Sequence, residues 1–144
     1  MAKYNVIGRT DEVSILEKMY TSQQSEFVAI FGRRRVGKTY LVKNVFYDRF
    51  TFRITGLAQA SLKEQLTNFN LTFKEQHPQA ENKKAENWQE AFQNIRKVAE
   101  KSKTKKKVIF IDELPWFDSA KSNFIQALEH FWNSWAFYRN DILL

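Results

Sequence analysis

Apolar residues recur along this chain in two rhythms, and the rhythms alternate. In "DEVSILEKMY" (11–20), Val13, Leu16 and Tyr20 return at helical spacing, with Asp11 and Glu12 in the first turn, where acids suit the helix dipole. The polar "TSQQS" (21–25) predicts a loop, and the short run "EFVAIF" (26–31), closed by Gly32, predicts a buried strand. A helix is expected from Lys38 to about Tyr47, carried by Leu41, Val42 and Val45. The β-branched and aromatic "TFRIT" (51–55) predicts a second short strand, which Gly56 breaks. Ser61 and Glu64 have the spacing of a capping box. Leu62, Leu66, Phe69 and Phe73 follow at intervals of four, three and four, a helix with one buried face. Pro78 lies in a polar connection (77–87), after which Asn87 caps a further helix, with Glu90 three residues on. Trp88, Phe92, Ile95 and Ala99 line the inner face of that helix. "VIFID" (108–112) reads as a continuous apolar strand closed by an acid; Phe124, Leu128, Phe131 and Trp135 mark a last helix, and "DILL" (141–144) resembles a strand barely begun.

Strands that are apolar throughout and alternate with helices are covered on both faces, as in a parallel sheet between helical layers. The expectation is one α/β domain, with no internal repeat or low-complexity segment. Composition agrees: 43% hydrophobic and 27% charged over 144 residues. The absence of cysteine excludes disulfides, thiolate metal sites and a cysteine nucleophile. No apolar run approaches the ~20 residues that span a bilayer, and "MAKYNVIGRT" lacks the apolar core of a signal peptide, so the reading is cytoplasmic, with no membrane partner. The net charge of +7 is concentrated: from Arg96 to Lys107, seven basic residues face the single acid Glu100. The run "KSKTKKK" (101–107) has two readings, a solvated helix end and loop, or a contact with nucleic-acid phosphates or a partner. His77 and His130 stand far apart with no ligand-spaced neighbours, which argues against a metal site. Trp132 and Trp135 sit on an apolar helix face and read as packing; Ser61 reads as a cap, not a nucleophile.

One stretch departs from this ordinary pattern. "FGRRRVGKTY" (31–40) sets three arginines and a lysine between and beside two glycines, after an apolar strand and before a helix. The spacing Gly32-x-x-x-x-Gly37-Lys38-Thr39 is that of a Walker A phosphate loop (32–39). Phosphate needs many donors at close range. Glycines let the backbone turn so that successive amides converge, and the following helix adds the positive end of its dipole. The groups expected to meet the nucleotide are those of Gly32, Arg35, Val36, Gly37, Lys38, Thr39 and Tyr40. Lys38 reaches the β- and γ-phosphates, and the Thr39 hydroxyl holds Mg²⁺. Side chains at the variable positions Arg33, Arg34 and Arg35 are expected to point outward, to solvent, a flanking acid or a partner domain; the alternative is that one of them touches nucleotide or a regulatory surface.

Asp112-Glu113, at the end of "VIFI", has the form of a Walker B element (108–113). Asp112 would orient Mg²⁺, and Glu113 would polarise the attacking water as general base. The candidate catalytic residues are therefore Glu113 and Lys38, the metal ligands Thr39 and Asp112, and the cofactors ATP and Mg²⁺. Adjacent acids favour a hydrolysing ATPase over a small GTPase, and no Asn-Lys-x-Asp motif is present. A small-molecule kinase shares Walker A but is disfavoured by the acid pair.

Together, "VIGRTDEVSIL" (6–16), "FGRRRVGKTYLV" (31–42) and "VIFIDELPWF" (108–117) resemble the AAA+-related ATPases called the archaeal-type ATPase family, close to the STAND signalling NTPases. The resemblance implies a P-loop NTPase three-layer αβα sandwich with a mainly parallel sheet. It implies that Gly8 and Arg9, of the element Gly8-Arg9-x-x-Glu12, help to frame the nucleotide, and that Pro115 and Trp116 serve packing. It also implies a sheet order 5-1-4-3-2, in which a fourth strand, starting near Ile142, lies between the first strand and the Walker B strand. On this reading, residues 1–144 are the N-terminal part of a longer ATPase, cut before that strand is complete, with sensors, lid and arginine finger beyond it. Strands 28–31 and 108–111 are then not neighbours unless residues 142–144 or another chain fill the gap, which implies marginal stability or an oligomer that repairs the edge. The implied function is an ATP-dependent switch or motor serving a C-terminal module or self-association. The alternative is a nucleic-acid-binding ATPase, or a binding module without turnover, touching phosphates through the 101–107 run.

Overall fold

The structure, a computed structural model, describes residues 10–29, 38–119 and 121–144. Helix α1 (Thr10–Thr21) is followed by α2 (Lys38–Val45), strand β1 (Phe50–Thr55), α3 (Leu62–Gln76), α4 (Trp88–Lys101), β2 (Lys107–Asp112), α5 (Phe124–Ser134) and β3 (Ile142–Leu143). Short 3-10 turns occupy Leu114–Phe117 and Ala136–Tyr138. From α2 onward the order of helices and strands is the expected one. The local signals work as the sequence suggests. Ser61 accepts from the Glu64 amide at 3.2 Å, while the Glu64 carboxylate accepts from the Ser61 amide at 2.8 Å. Asn87 accepts from the Glu90 amide at 2.8 Å, but Glu90 reaches back to the amide of Glu86, one residue beyond the cap.

The sheet is parallel, in the order β1-β2-β3. Beyond β3, Glu26 forms a parallel bridge with Leu143, and three main-chain hydrogen bonds of 2.8–3.0 Å join Glu26 and Val28 to Ile142 and Leu144. Residues 142–144 thus lie between β2 and the 26–28 segment and fill the gap that the sheet order implies. The strand expected over 26–31 is shorter than its pattern: Glu26 makes a bridge, residues 27–29 have no regular strand form, and Ile30 and Phe31 lie outside the described residues. A ladder needs facing main chain, and here the facing residues are 142–144.

Helices cover both faces. Phe52, Ile54, Ile109 and Ile142 point to the side of α3, α4 and α5, while Val108 and Leu143 point to α1 and α2. A register irregularity between Phe50 and Phe52 lets these two residues, of equal parity, serve opposite layers: Phe50 pairs with Val108, and Phe52 with Ile109. The larger core is aromatic, centred on Trp88, whose ring meets Phe124 at 4.9 Å and Phe117 at 5.3 Å, both edge to face. This is a three-layer αβα sandwich. No helix among the described residues is long and apolar enough to cross a membrane.

Lysines depart from their sequence reading. The 101–107 run is not a solvated face throughout: Lys106 and Lys107 are buried. The Lys106 ammonium donates to the Gln24 carbonyl at 2.6 Å and the Ser22 hydroxyl at 3.1 Å, and burial pushes it below the usual lysine range. The Lys107 ammonium donates to Asp141 at 2.9 Å and to the Thr104 carbonyl at 2.7 Å. The run crosses from the end of α4 into β2, so its last two residues must enter the packed sheet. Lys101, Lys103 and Lys105 remain exposed.

Candidate functional site

Among the described residues α2 begins at Lys38, and Thr39 follows in its first turn. Its apolar stripe, Leu41, Val42 and Val45, is almost fully buried against the sheet, which fixes the direction of the helix. Across from it, Asp112 is the last residue of β2 and is 7% exposed. Its main chain is held by the β1 ladder, where Asp112 pairs with Thr55 and its carbonyl accepts from the Gly56 amide at 2.9 Å. Its carboxylate faces α2: the Thr39 hydroxyl lies 3.0 Å from each carboxylate oxygen and donates to it. Residues 73 apart in sequence are thus brought into direct contact. A hydroxyl and a carboxylate at the mouth of a parallel sheet are hard oxygen donors, the type that Mg²⁺ prefers.

Glu113 follows in the left-handed region, at φ 59° and ψ 45°. This conformation is costly for a residue with a Cβ and turns the chain sharply at the strand end. A 3-10 turn with Pro115 near its start follows, closed by the Trp116 amide donating to the Glu113 carbonyl at 3.1 Å. The Trp116 indole N–H donates to the Glu113 carboxylate, also at 3.1 Å. Trp116 therefore does more than pack. Beneath Asp112 and Glu113, an apolar cavity of about 580 Å³ opens between Val28–Ala29 and Ile109–Ile111.

Of the other sequence-expected residues, Gly8, Arg9, Gly32, Arg33, Arg34, Arg35, Val36 and Gly37 lie outside the described residues. Lys38 is placed as the first residue of α2. The Tyr40 side chain is 53% exposed, and Glu12 is exposed on α1. His77 pairs through Nε2 with the Thr51 carbonyl at 2.7 Å, and Trp135 is buried with its indole N–H on Glu100.

Two residues near the site escape a motif reading. Gly56 permits close approach: a Cβ there would lie 2.8 Å from the Glu113 carbonyl oxygen. Gln65, fully buried, hydrogen-bonds to the main chain of Leu57 and Trp116. Its signal was present in the sequence, because 65 falls in the core phase of the stripe 62, 66, 69, 73, where a polar residue must find partners.

A 43-residue stretch, 30% of this chain, is 33% identical to an uncharacterized ATP-binding protein of Methanocaldococcus jannaschii, MJ0423, and covers 73% of that protein. No solved structure matches. Residues 7–139 match the family described as an ATPase domain predominantly from Archaea. With nearly the whole sequence inside that match, the chain belongs to this archaeal-type ATPase family.

Proposed function

We propose that this chain is the ATP-binding part of an AAA+/STAND-like ATPase that binds ATP with Mg²⁺ and hydrolyses it. The observation that carries the reading is the contact between the Thr39 hydroxyl and the Asp112 carboxylate at the start of α2. In that role Thr39 and Asp112 would hold Mg²⁺, directly or through water, and Mg²⁺ would neutralise charge on the phosphate oxygens. Gly32–Tyr40 would present amides and the Lys38 ammonium to the phosphates, and Gly8 and Arg9 would frame the nucleotide. Glu113 would take a proton from water as its oxygen bonds to the γ-phosphorus. The bond to the β-phosphate oxygen breaks, leaving ADP and inorganic phosphate. The nucleotide state would then pass to an attached module or a second copy of the chain. The family membership and the ATP-binding relative support this reading. The competing role, phosphate contacts by the 101–107 run, has less support, since Lys106 and Lys107 are turned inward.

The test is titration of ATP and GTP into the chain, with and without Mg²⁺, beside Lys38→Ala. ATP should bind and the variant should lose most of the affinity; equal affinity in Lys38→Ala overturns the site. Glu113→Gln should bind ATP normally and lose turnover by about 10²–10⁴-fold, the usual worth of a general base.

A further inference from the structure

We infer that Gln65, on α3, is a positioning residue for the Glu113 carboxylate, acting through Trp116. Gln65 has no exposed surface, so it touches no ligand itself. Its side-chain oxygen accepts from the Leu57 amide at 3.0 Å, and its side-chain nitrogen donates to the Leu57 carbonyl at 2.7 Å and the Trp116 carbonyl at 3.0 Å. Both donor hydrogens are used, and every partner is main chain. One side chain therefore fastens the loop after β1 to the turn after β2.

That turn carries the candidate base. The Trp116 indole N–H holds the Glu113 carboxylate at 3.1 Å, and the Trp116 amide holds the Glu113 carbonyl at 3.1 Å. Glu113 itself sits in the left-handed region at φ 59°, which persists only where the surroundings enforce it. Gly56 packs against the same point, with no Cβ to push the Glu113 carbonyl away. The order of action runs from Gln65 to the Trp116 main chain, from there to the indole direction, and from the indole to the carboxylate. Without the amide of Gln65, the Leu57 and Trp116 groups must find other partners, the 114–117 turn relaxes, and Glu113 loses one of its fixed donors. A neutral amide suits this task, because its hydrogen bonds do not change with pH.

The positioning of a carboxylate rests on geometry alone; its effect on turnover rests on the ATPase reading above. The test keeps these apart. Gln65→Met, of similar volume and without donors, is compared with wild type in ¹H–¹⁵N spectra, where Trp116→Phe identifies the Trp116 indole N–H. Glu113→Gln defines where that signal lies when the carboxylate is gone. In Gln65→Met the Trp116 signal should move toward that position, while the Trp132 and Trp135 indoles stay. In steady-state assays kcat should fall about tenfold, with KM for ATP within about twofold, the pattern of an interaction made in the transition state. An unmoved Trp116 signal, or all four indoles moving together, overturns the inference, since the first means no coupling and the second only general loosening. If Gln65→Met does not fold, Gln65→Asn keeps a neutral amide but is one methylene too short to bridge the Leu57 and Trp116 main chains, and is judged by the same signals. If wild type does not hydrolyse ATP, the hydrolysis reading fails, and the indole signal alone decides the positioning.

Discussion

Asp141→Asn tests how residues 142–144 are held between β2 and the 26–28 segment. The Asp141 carboxylate gathers three charged contacts: Lys107 at 2.9 Å, and the Arg139 guanidinium at 2.8 Å on each oxygen. The Asp141 carbonyl also accepts from the Lys107 amide at 2.7 Å, so the cluster sits at the first rung of the β2–β3 ladder. The Arg139 hydrogen bond first, and Lys107 after it, hold the Asp141 carboxyl down at about 2, against burial, which acts the other way. From an ordinary value of 3.8, linkage puts an upper limit of about 2.4 kcal/mol on this stabilisation, and water around a carboxylate 16% exposed reduces it to about 1–2 kcal/mol. The substitution also leaves the Lys107 ammonium, 9% exposed, without its anion, which brings the total loss to about 2 kcal/mol. For 144 residues that is a fall in Tm of about 7 °C. The folded carboxyl has the lower pKa, so the stabilisation is full above about pH 4 and is lost as pH falls through about 2. Urea denaturation followed by circular dichroism, run for both proteins from pH 7 to pH 2, reads the difference directly. The gap should be largest at neutral pH and should close on acidification. Equal midpoints at pH 7, or a gap that widens below pH 4, would refute the argument.

Three further outcomes are expected. Thr39→Val removes the hydroxyl that meets Asp112 and should weaken Mg²⁺-dependent ATP binding about tenfold while leaving Mg²⁺-free binding unchanged, as read by calorimetry. Gly56→Ala would set a Cβ 2.8 Å from the Glu113 carbonyl, 3.0 Å from the Phe117 ring and 3.1 Å from the Trp116 Cβ, none of which is a free side-chain tip. It should cost about 1–3 kcal/mol in urea denaturation, and an unchanged midpoint would contradict the close approach. Lys106→Met removes a buried ammonium whose pKa burial lowers. Because the folded form binds its proton less tightly than the unfolded form, wild type should gain stability relative to Lys106→Met as pH rises toward 10.5, and a gap that is flat in pH contradicts this.

Much of this protein was legible along the chain. Helical stripes such as Trp88, Phe92, Ile95 and Ala99, the Ser61 cap and the Asp112 strand end are local patterns, because side-chain period and capping depend on residues within a few positions of one another. The phosphate-loop spacing, which marks Thr39, and the apolar strand closed by an acid, which marks Asp112, are local in the same sense. What local pattern cannot supply is which distant segments meet. Tertiary structure brought the Thr39 hydroxyl to Asp112 and turned Lys106 and Lys107 inward where charge alone suggested water, and it set Ile142 and Leu143 against β2 and Glu26, a placement that only the family resemblance, not local pattern, had implied. It also gave Gln65 its task, because a buried amide acquires meaning only from the main-chain groups that packing sets around it, here from loops 8 and 51 residues away.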